Sequence, residues 1–64
     1  MNLYFLRIDE VERRTGLSRP TIYRRMREGT FPNQINLGGR AVAWSSEAIA
    51  EWIKNCIDAN ERVA

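Results

Sequence analysis

The stretch Gly16-Leu17-Ser18-Arg19-Pro20-Thr21-Ile22-Tyr23-Arg24-Arg25 contains the signals that decide how this chain folds. Gly16 suits the left-handed backbone position that ends a helix, and Ser18 suits the N-cap of the next helix. Pro20 is accepted in a first helical turn, because the N–H groups there have no partner within the helix. The stretch therefore predicts that one helix ends near Thr15 and that a second begins near Ser18.

Apolar residues on either side of this turn have the spacing of a helix-turn-helix motif. Val11 lies in the first helix, Leu17 follows the turn glycine, and Ile22 comes four positions after the capping serine. This spacing lets two short helices cross and share one core while the second exposes its far face. The sequence thus predicts a helix-turn-helix over about residues 8–28. Asp9 and a glutamate three residues later have the spacing of a capping box at its start.

Positive charge is concentrated in the same region. Residues 13–27 contain six arginines and no acidic residue, although the whole chain has ten cations, eight acids and a net charge of only +2. A phosphate backbone responds to this local charge rather than to the net value. Nine of the ten cations are arginine, which favours planar, bidentate recognition over plain solubility. The charge pattern therefore indicates a nucleic acid as partner.

The rest of the chain predicts a short strand, a hairpin and a third helix. The apolar run 3–6 is typical of an edge strand or a core-covering arm. Gly38-Gly39 predicts a two-residue turn in a hairpin over about residues 34–44, with Ile35 opposite Val42. A third helix is predicted over about residues 46–59. Its apolar stripe consists of Ile49, Trp52, Ile53, Cys56 and Ile57. Because the cysteine lies on this stripe, we expect a buried thiol.

Composition argues against an enzyme and against a membrane protein. The chain has 64 residues, no histidine and one cysteine, and a domain this small has little volume for a substrate pocket. We therefore expect no catalytic residue, no metal ligand and no cofactor. No apolar run approaches the length of a membrane span. The sequence predicts a cytoplasmic protein, associated with the nucleoid when it is bound to DNA.

The helix-turn-helix stretch forms part of a longer pattern. It continues in Gly29-Thr30-Phe31-Pro32, in Leu37-Gly38-Gly39-Arg40-Ala41-Val42-Ala43-Trp44 and in Ala50-Glu51-Trp52-Ile53. Over about residues 5–57 the chain resembles the AlpA-type phage regulators, which are related to phage excisionases and to the DNA-binding domain of MerR-type regulators. The resemblance implies a small α+β fold, a winged helix-turn-helix with three helices, a β-hairpin wing and a possible short N-terminal strand. Residues 1–64 would form one such DNA-binding domain.

The resemblance also implies how the domain meets DNA. The recognition helix, residues 18–28, would enter the major groove of duplex DNA. The wing, residues 34–44, would place Gly39 and Arg40 on the adjacent backbone or in the minor groove. Two features depart from the usual patterns: Glu12 stands where helix-turn-helix motifs often have a small residue, and the wing has neutral asparagines where this family often has lysine. The second departure predicts a modest contribution of the wing to affinity.

A helical wheel centred between Ile22 and Met26 indicates which side chains of the second helix face the groove. Bases are read from the N-terminal part of a recognition helix, and an arginine there can hold the O6 and N7 atoms of a guanine with two hydrogen bonds. The residues predicted to read bases are Arg19, Thr21, Arg24 and Arg25. The residues predicted to contact the DNA backbone are Arg13, Arg14, Ser18, Tyr23, Arg27, Gly39 and Arg40.

The leading hypothesis is a sequence-specific regulator of transcription of prophage or mobile-element genes. An alternative that uses the same surface is an excisionase, or recombination directionality factor, that bends attachment-site DNA. A more remote alternative is an RNA-binding or protein-interaction module. The partner expected first is double-stranded DNA. RNA polymerase, an integrase and further copies of the chain on repeated DNA sites are expected as additional partners, and the choice among activator, repressor and excisionase stays open.

Overall fold

A computed structural model describes residues 3–63, with side chains as far as residue 61. Its elements in chain order are β1 (Phe5–Leu6), α1 (Ile8–Thr15), α2 (Arg19–Glu28), β2 (Ile35–Gly38), β3 (Ala41–Ser45) and α3 (Ser46–Val63). The protein is a small α+β fold of winged helix-turn-helix type, as the sequence predicts. Residues 1, 2 and 64, which the predicted domain limits include, lie outside the described residues.

The turn between α1 and α2 follows the sequence signals, apart from the role of the serine hydroxyl. Gly16 ends α1 with a left-handed φ of 75°, and its N–H donates to the carbonyl of Glu12 at 2.8 Å. Ser18 is the extended N-cap residue of α2. Its hydroxyl donates to Oγ1 of Thr21 at 2.9 Å instead of capping a backbone N–H. The capping box predicted for α1 is wrong, because Arg7 occupies the N-cap position there.

The three strands within residues 3–63 form an antiparallel sheet in the order β1-β3-β2. Leu6 pairs with Trp44, and Ile35 pairs with Ala43. The predicted pairing of Ile35 with Val42 is therefore wrong by one residue. The turn consists of residues 39–40 rather than the two glycines, and β2 has a bulge at Leu37 that adds one residue to its strand. As a consequence Ile35 is 39% exposed, while Ala43 is fully buried.

Every helix and strand except β2 contributes a buried side chain to the core. The buried cluster consists of Leu6, Val11, Ile22, Phe31, Trp44 and Ile49. Two tryptophans also hold the segment that leads from α2 to the hairpin. The indole N–H of Trp44 donates to the carbonyl of Pro32 at 3.0 Å, and that of Trp52 donates to the carbonyl of Thr30 at 2.9 Å. These bonds satisfy polar groups of a segment that has no regular secondary structure.

Helix α3 is longer than predicted and is covered by the domain only along its first half. The hydroxyl of Ser45 accepts a hydrogen bond from the N–H of Ala48 at 3.3 Å and so caps the helix. Ile53 is half-buried, whereas Cys56 and Ile57 are exposed. The prediction of a buried thiol is therefore wrong. The apolar stripe continues along the helix beyond the point where the domain ends.

Replacing Gly16 with alanine should destabilise the fold through the backbone alone. A Cβ atom at this position would meet no atom within 4 Å, but the φ of 75° is one that side chains with a Cβ rarely adopt. We expect Gly16→Ala to lower the free energy of unfolding by about 1–2 kcal/mol, as measured by urea unfolding. Gly16→Asn is the matched control, since asparagine tolerates this conformation better, and it should lose less. Equal losses for the two variants would contradict this account.

Candidate nucleic-acid interface

The orientation of α2 is set by its apolar residues. Ile22 is fully buried and Met26 is half-buried against the core. The helix face opposite these two residues is exposed. Its exposed side chains are those of Pro20, Arg24, Arg27 and Glu28, and Arg19 is exposed at the first position of the helix. The wheel drawn from the sequence therefore places Arg24 on the face that the structure exposes, with Arg27 at its flank.

Two other residues predicted to read bases are less open. Thr21 is half-buried, and its Oγ1 accepts the hydrogen bond from Ser18. Arg25 is also half-buried, and its Nε atom is enclosed without a hydrogen-bond partner among residues 3–63. Because Arg25 lies three positions after Ile22, it shares a side of the helix with a core residue. Its guanidinium group is therefore at the border of the exposed face rather than at its centre.

Tyr23, predicted to contact a phosphate, belongs partly to the core. Its ring packs edge-on against Trp44 with 6.2 Å between the ring centroids and an angle of 67° between the planes. This geometry is a favourable one for aromatic pairs. The ring therefore fixes the middle of α2 on β3, and the remainder of the half-buried side chain lies at the surface.

The arginines of α1 are paired with acids that the sequence places outside the cationic run. Glu10 accepts hydrogen bonds from Arg13 at 2.8 Å and from Arg14 at 3.0 Å. The hydrogen bonds from Arg14 and Arg13 hold the pKa of the Glu10 carboxyl below its usual value, and the bond from Arg14 has the larger effect. Asp9 adds a weaker contact to Arg13 at 3.7 Å. The region 13–27 is acid-free in sequence but not in space, so its local charge is smaller than the count of arginines suggests.

Arg14 also connects α1 to the N-terminal strand. Its guanidinium donates to the hydroxyl of Tyr4 at 3.0 Å and lies 5.6 Å from the centroid of the same ring. The hydrogen bonds to Tyr4 and then Glu10 raise the pKa of the Arg14 guanidinium. Of the two predicted backbone contacts on α1, Arg14 is thus the more constrained, and Arg13, with a 70% exposed side chain, is the more open.

The contact between Arg24 and Glu28 leaves the arginine available. The closest atoms, Nε of Arg24 and Oε2 of Glu28, are 3.9 Å apart, and both side chains are 56% exposed. An exposed ion pair of this kind contributes little free energy. Arg24 can therefore leave Glu28 for a stronger partner at small cost.

The tip of the hairpin presents the two residues predicted for the wing. Gly39 and Arg40 form its turn, and both are exposed. Gly39 has a φ of 56°, a left-handed value that glycine adopts without strain. The carboxamide of Asn36 accepts a hydrogen bond from the N–H of Gly38 at 2.7 Å and so stiffens the strand before the tip. Arg40 is therefore held at the end of a short, ordered hairpin.

One structural feature of this surface escaped the sequence analysis. Oε2 of Glu12 accepts a hydrogen bond from the backbone N–H of Arg19 at 3.0 Å. The carboxylate of the first helix thus satisfies the first N–H of the second helix, whereas the sequence suggested the hydroxyl of Ser18 as the cap of that helix. The available signal was the unusual acid at position 12, seven residues before a helical N-terminus that needs an acceptor.

Other parts of the surface have a different chemistry. An open groove of about 570 Å³ between residues 29–32 and α3 carries the carboxylates of Glu47 and Glu51, which repel phosphate. A second groove, of about 470 Å³, is mostly apolar and is lined by Leu3, Phe5 and Ile35, among others. Within residues 3–63, no cluster of three or more His, Cys, Asp or Glu side chains is arranged to hold a metal ion. The helices in that range are all too short or too polar to cross a bilayer.

Comparison with known proteins gives two matches. The sequence model of a family described as Prophage CP4-57 regulatory protein (AlpA) matches residues 4–57. The chain is also similar to the uncharacterized protein ORF88 of Enterobacteria phage P4, with 45% identity over 58 residues. The aligned residues make up 91% of this chain and 66% of the relative. The chain therefore spans just under two thirds of the length of that phage protein.

Replacing Glu10 with glutamine should change how stability depends on pH. The carboxyl has a lowered pKa in the folded state, so folding is favoured by its ionised form. This contribution is present above the unfolded-state pKa and is lost as the pH falls through the lowered folded-state value. We expect the wild type to be more stable than Glu10→Gln near neutral pH and the difference to vanish in strong acid. Urea midpoints measured across the acid range test this.

The control for Glu10→Gln is Glu51→Gln, which removes an exposed carboxylate from α3. The difference in urea midpoint between Glu51→Gln and the wild type should not follow the pH dependence expected for Glu10→Gln, because Glu51 lies away from Arg13 and Arg14. If the advantage of the wild type over Glu10→Gln persisted unchanged into strong acid, the ion pairs of Glu10 would not contribute in the way described.

Proposed function

The chain belongs to the AlpA family of prophage regulatory proteins, and on that premise we propose that it is a sequence-specific duplex-DNA-binding protein that regulates transcription of prophage or mobile-element genes. In this proposal α2 enters the major groove. The hairpin lies on the adjacent backbone or in the minor groove. The domain, residues 1–64, acts as one DNA-binding unit in the cytoplasm.

The observation that supports this proposal best is the exposed arginine face of α2. Arg24 and Arg27 are exposed on the side opposite the buried Ile22, and Arg19 is exposed at the start of the helix. An α-helix fits the major groove, and an arginine on its exposed face can hold a guanine through two hydrogen bonds. Burial of Ile22 thus fixes which face of α2 is open to DNA before DNA arrives.

The proposed roles follow the exposure of each residue. Arg19 and Arg24 are proposed as the main base readers, with Thr21 beside them and Arg25 at the border of the face. Contacts to the DNA backbone are proposed for Arg13, Arg14, Ser18, Tyr23, Arg27, Gly39 and Arg40. Among these, Arg14 must exchange its bond to Glu10 or Tyr4 for a phosphate, which reduces the net gain. Arg27 and Arg40, both exposed, are the more effective phosphate ligands.

Duplex DNA is a better partner for this surface than single-stranded RNA. Sequence-specific RNA recognition commonly stacks unpaired bases on exposed aromatic rings. In this protein four of the six aromatic side chains pack in pairs, Tyr23 with Trp44 and Phe31 with Trp52. These four rings therefore pack against one another and are not available to stack on bases. The family is described as regulatory, which favours transcription control, with RNA polymerase as a partner, over an excisionase that works with an integrase.

Replacing Arg24 with alanine should weaken DNA binding without unfolding the protein. The side chain is 56% exposed and makes only a 3.9 Å contact to Glu28, so the melting temperature should stay close to that of the wild type. Loss of a bidentate base contact should cost about 1–3 kcal/mol on a preferred duplex. The preferred duplex is obtained by selection from a random library with the wild-type chain, and binding is measured by fluorescence anisotropy.

Lys54→Ala is the matched control for Arg24→Ala. Lys54 is an exposed cation on α3, away from the face formed by Arg19, Arg24 and Arg27. Its removal should leave discrimination between the preferred duplex and a scrambled one unchanged. Equal losses for Arg24→Ala and Lys54→Ala would show that only total charge matters, and would contradict recognition by α2.

The salt dependence of binding provides a separate check. If about five phosphates are neutralised, the logarithm of the association constant should fall with the logarithm of salt concentration with a slope of about −4 to −5. The measurement is a titration of a short duplex at several salt concentrations. A slope near zero would contradict binding to the phosphate backbone.

A further inference from the structure

Glu12 uses two of its atoms to hold the turn between α1 and α2. Its backbone carbonyl accepts the N–H of Gly16 at 2.8 Å, and its carboxylate accepts the N–H of Arg19 at 3.0 Å. The first bond closes the end of α1, and the second satisfies an N–H at the start of α2. One residue thus links the last turn of the first helix to the first turn of the second. The position of Arg19 relative to α1 depends on this link.

Ser18 and Thr21 bond to each other beside the N–H that Glu12 satisfies. An N-cap serine ordinarily uses its oxygen to accept a backbone N–H of the helix. Here the hydroxyl of Ser18 donates to Oγ1 of Thr21 at 2.9 Å. A bond between two hydroxyl groups can have either one as its donor, so what this bond fixes is the position of the Thr21 hydroxyl. Thr21 is thereby held near the start of α2, where its hydroxyl can approach a base edge or a phosphate oxygen.

The carboxylate of Glu12 also has an electrostatic effect. A helix N-terminus attracts anions, because its first N–H groups and its dipole point toward them. At α2 the N–H of Arg19 is already bonded to the carboxylate. A DNA phosphate approaching the same N–H would meet a negative charge and no free donor. This arrangement disfavours a sequence-independent contact at the very end of the helix that carries Arg19, Thr21 and Arg24.

We propose that Glu12 is a positioning residue that raises the sequence specificity of DNA binding. It fixes the start of α2 on α1 and keeps phosphate from the N–H of Arg19. This inference rests on the proposed function, because it assigns a role within the same DNA-binding surface. It predicts that the acid at position 12 lowers binding to arbitrary DNA while preserving binding to the preferred duplex.

The central test is Glu12→Gln, since the amide oxygen of glutamine can still accept the N–H of Arg19 while the negative charge is lost. We expect a melting temperature close to that of the wild type and tighter binding to a scrambled duplex. The salt slope on that duplex should become steeper by about 0.9, which corresponds to one additional phosphate contact, made to the side-chain NH2 group of the glutamine while the N–H of Arg19 stays bonded. The ratio of affinities for the preferred and scrambled duplexes should fall several-fold.

Two further variants separate the parts of the proposal. Glu51→Gln removes an exposed carboxylate from α3 and is the control for net charge, so its salt slope and affinity ratio should equal those of the wild type. Ser18→Ala should leave the melting temperature unchanged, because the Ser18 hydroxyl caps no backbone N–H, and should lower the affinity ratio, because the Thr21 hydroxyl loses the bond that positions it. If Ser18 were the ordinary N-cap, its loss would lower the melting temperature by about 4–8 °C.

The failure of the proposal can be told apart from the failure of the proposed function. If the wild-type chain selects no preferred duplex from a random library, the DNA-binding function is overturned and the role of Glu12 with it. If the wild type selects a duplex but Glu12→Gln behaves like Glu51→Gln in salt slope and affinity ratio, the function stands and the role of Glu12 is overturned. A steeper slope and a lower ratio for Glu12→Gln alone support the proposal.

Discussion

Burial of Ile22 is the constraint on which the rest of the structure depends. This side chain is fully enclosed in a cluster that also includes Val11 of α1, Trp44 of β3 and Ile49 of α3. Removing such a side chain from water contributes about 1.5–3 kcal/mol, a large share of the stability of a domain of 64 residues. Since a helix has only one face to bury, enclosing Ile22 decides which side chains of α2 face the solvent. The arginine face is a consequence of the core.

The two tryptophans extend this constraint from α2 to the hairpin. Their indole N–H groups bind the carbonyls of Thr30 and Pro32, and the ring of Trp52 packs edge-on against Phe31 at 4.9 Å between centroids. The irregular segment between α2 and β2 is thereby held at Thr30 and at Pro32. The hairpin tip with Arg40 and the exposed face of α2 thus belong to one rigid frame rather than to two independent parts.

Features decided by local chemistry could be predicted from the sequence, whereas those decided by a choice between similar alternatives could not. The ends of α1 and α2 follow from Gly16 and Gly29, which both have left-handed φ values. The hairpin register depends on which two residues form the turn. Gly38 and Gly39 both have positive φ, which glycine adopts without strain, so the Gly-Gly pair by itself is compatible with a turn at residues 38–39 or at residues 39–40. A bulge then displaces the pairing by one residue.

In the candidate nucleic-acid interface, too, some features follow from local sequence and others depend on how the elements are placed in space. The outward direction of Arg24 and Arg27 follows from the apolar spacing of α2, and the exposure of Arg19 follows from its position at the start of the helix. The bonds of Glu10 to two arginines have the i,i+3 and i,i+4 spacing that the sequence already contains, but the absence of acids inside the run drew attention away from the acids beside it. The bond from Glu12 to Arg19 crosses a turn, so it depends on how the two helices are placed in space. The exposure of Cys56 depends on where the domain ends beneath α3, which periodicity does not encode.

The exposed face of α2 has a consequence for how such a protein can diverge. Its arginines make few contacts within the domain, and Arg24 is held only by a long, solvent-exposed ion pair. Substitutions on this face are therefore close to neutral for folding, because surface changes away from packed or capped positions usually alter stability by about 0.5 kcal/mol or less. On the proposed function, the fold can acquire a new DNA target by exchanging a few outward side chains, with Ile22 and the turn left as they are. The core side chains and the proposed recognition side chains lie on different faces of one ten-residue helix, so each set can evolve with little effect on the other.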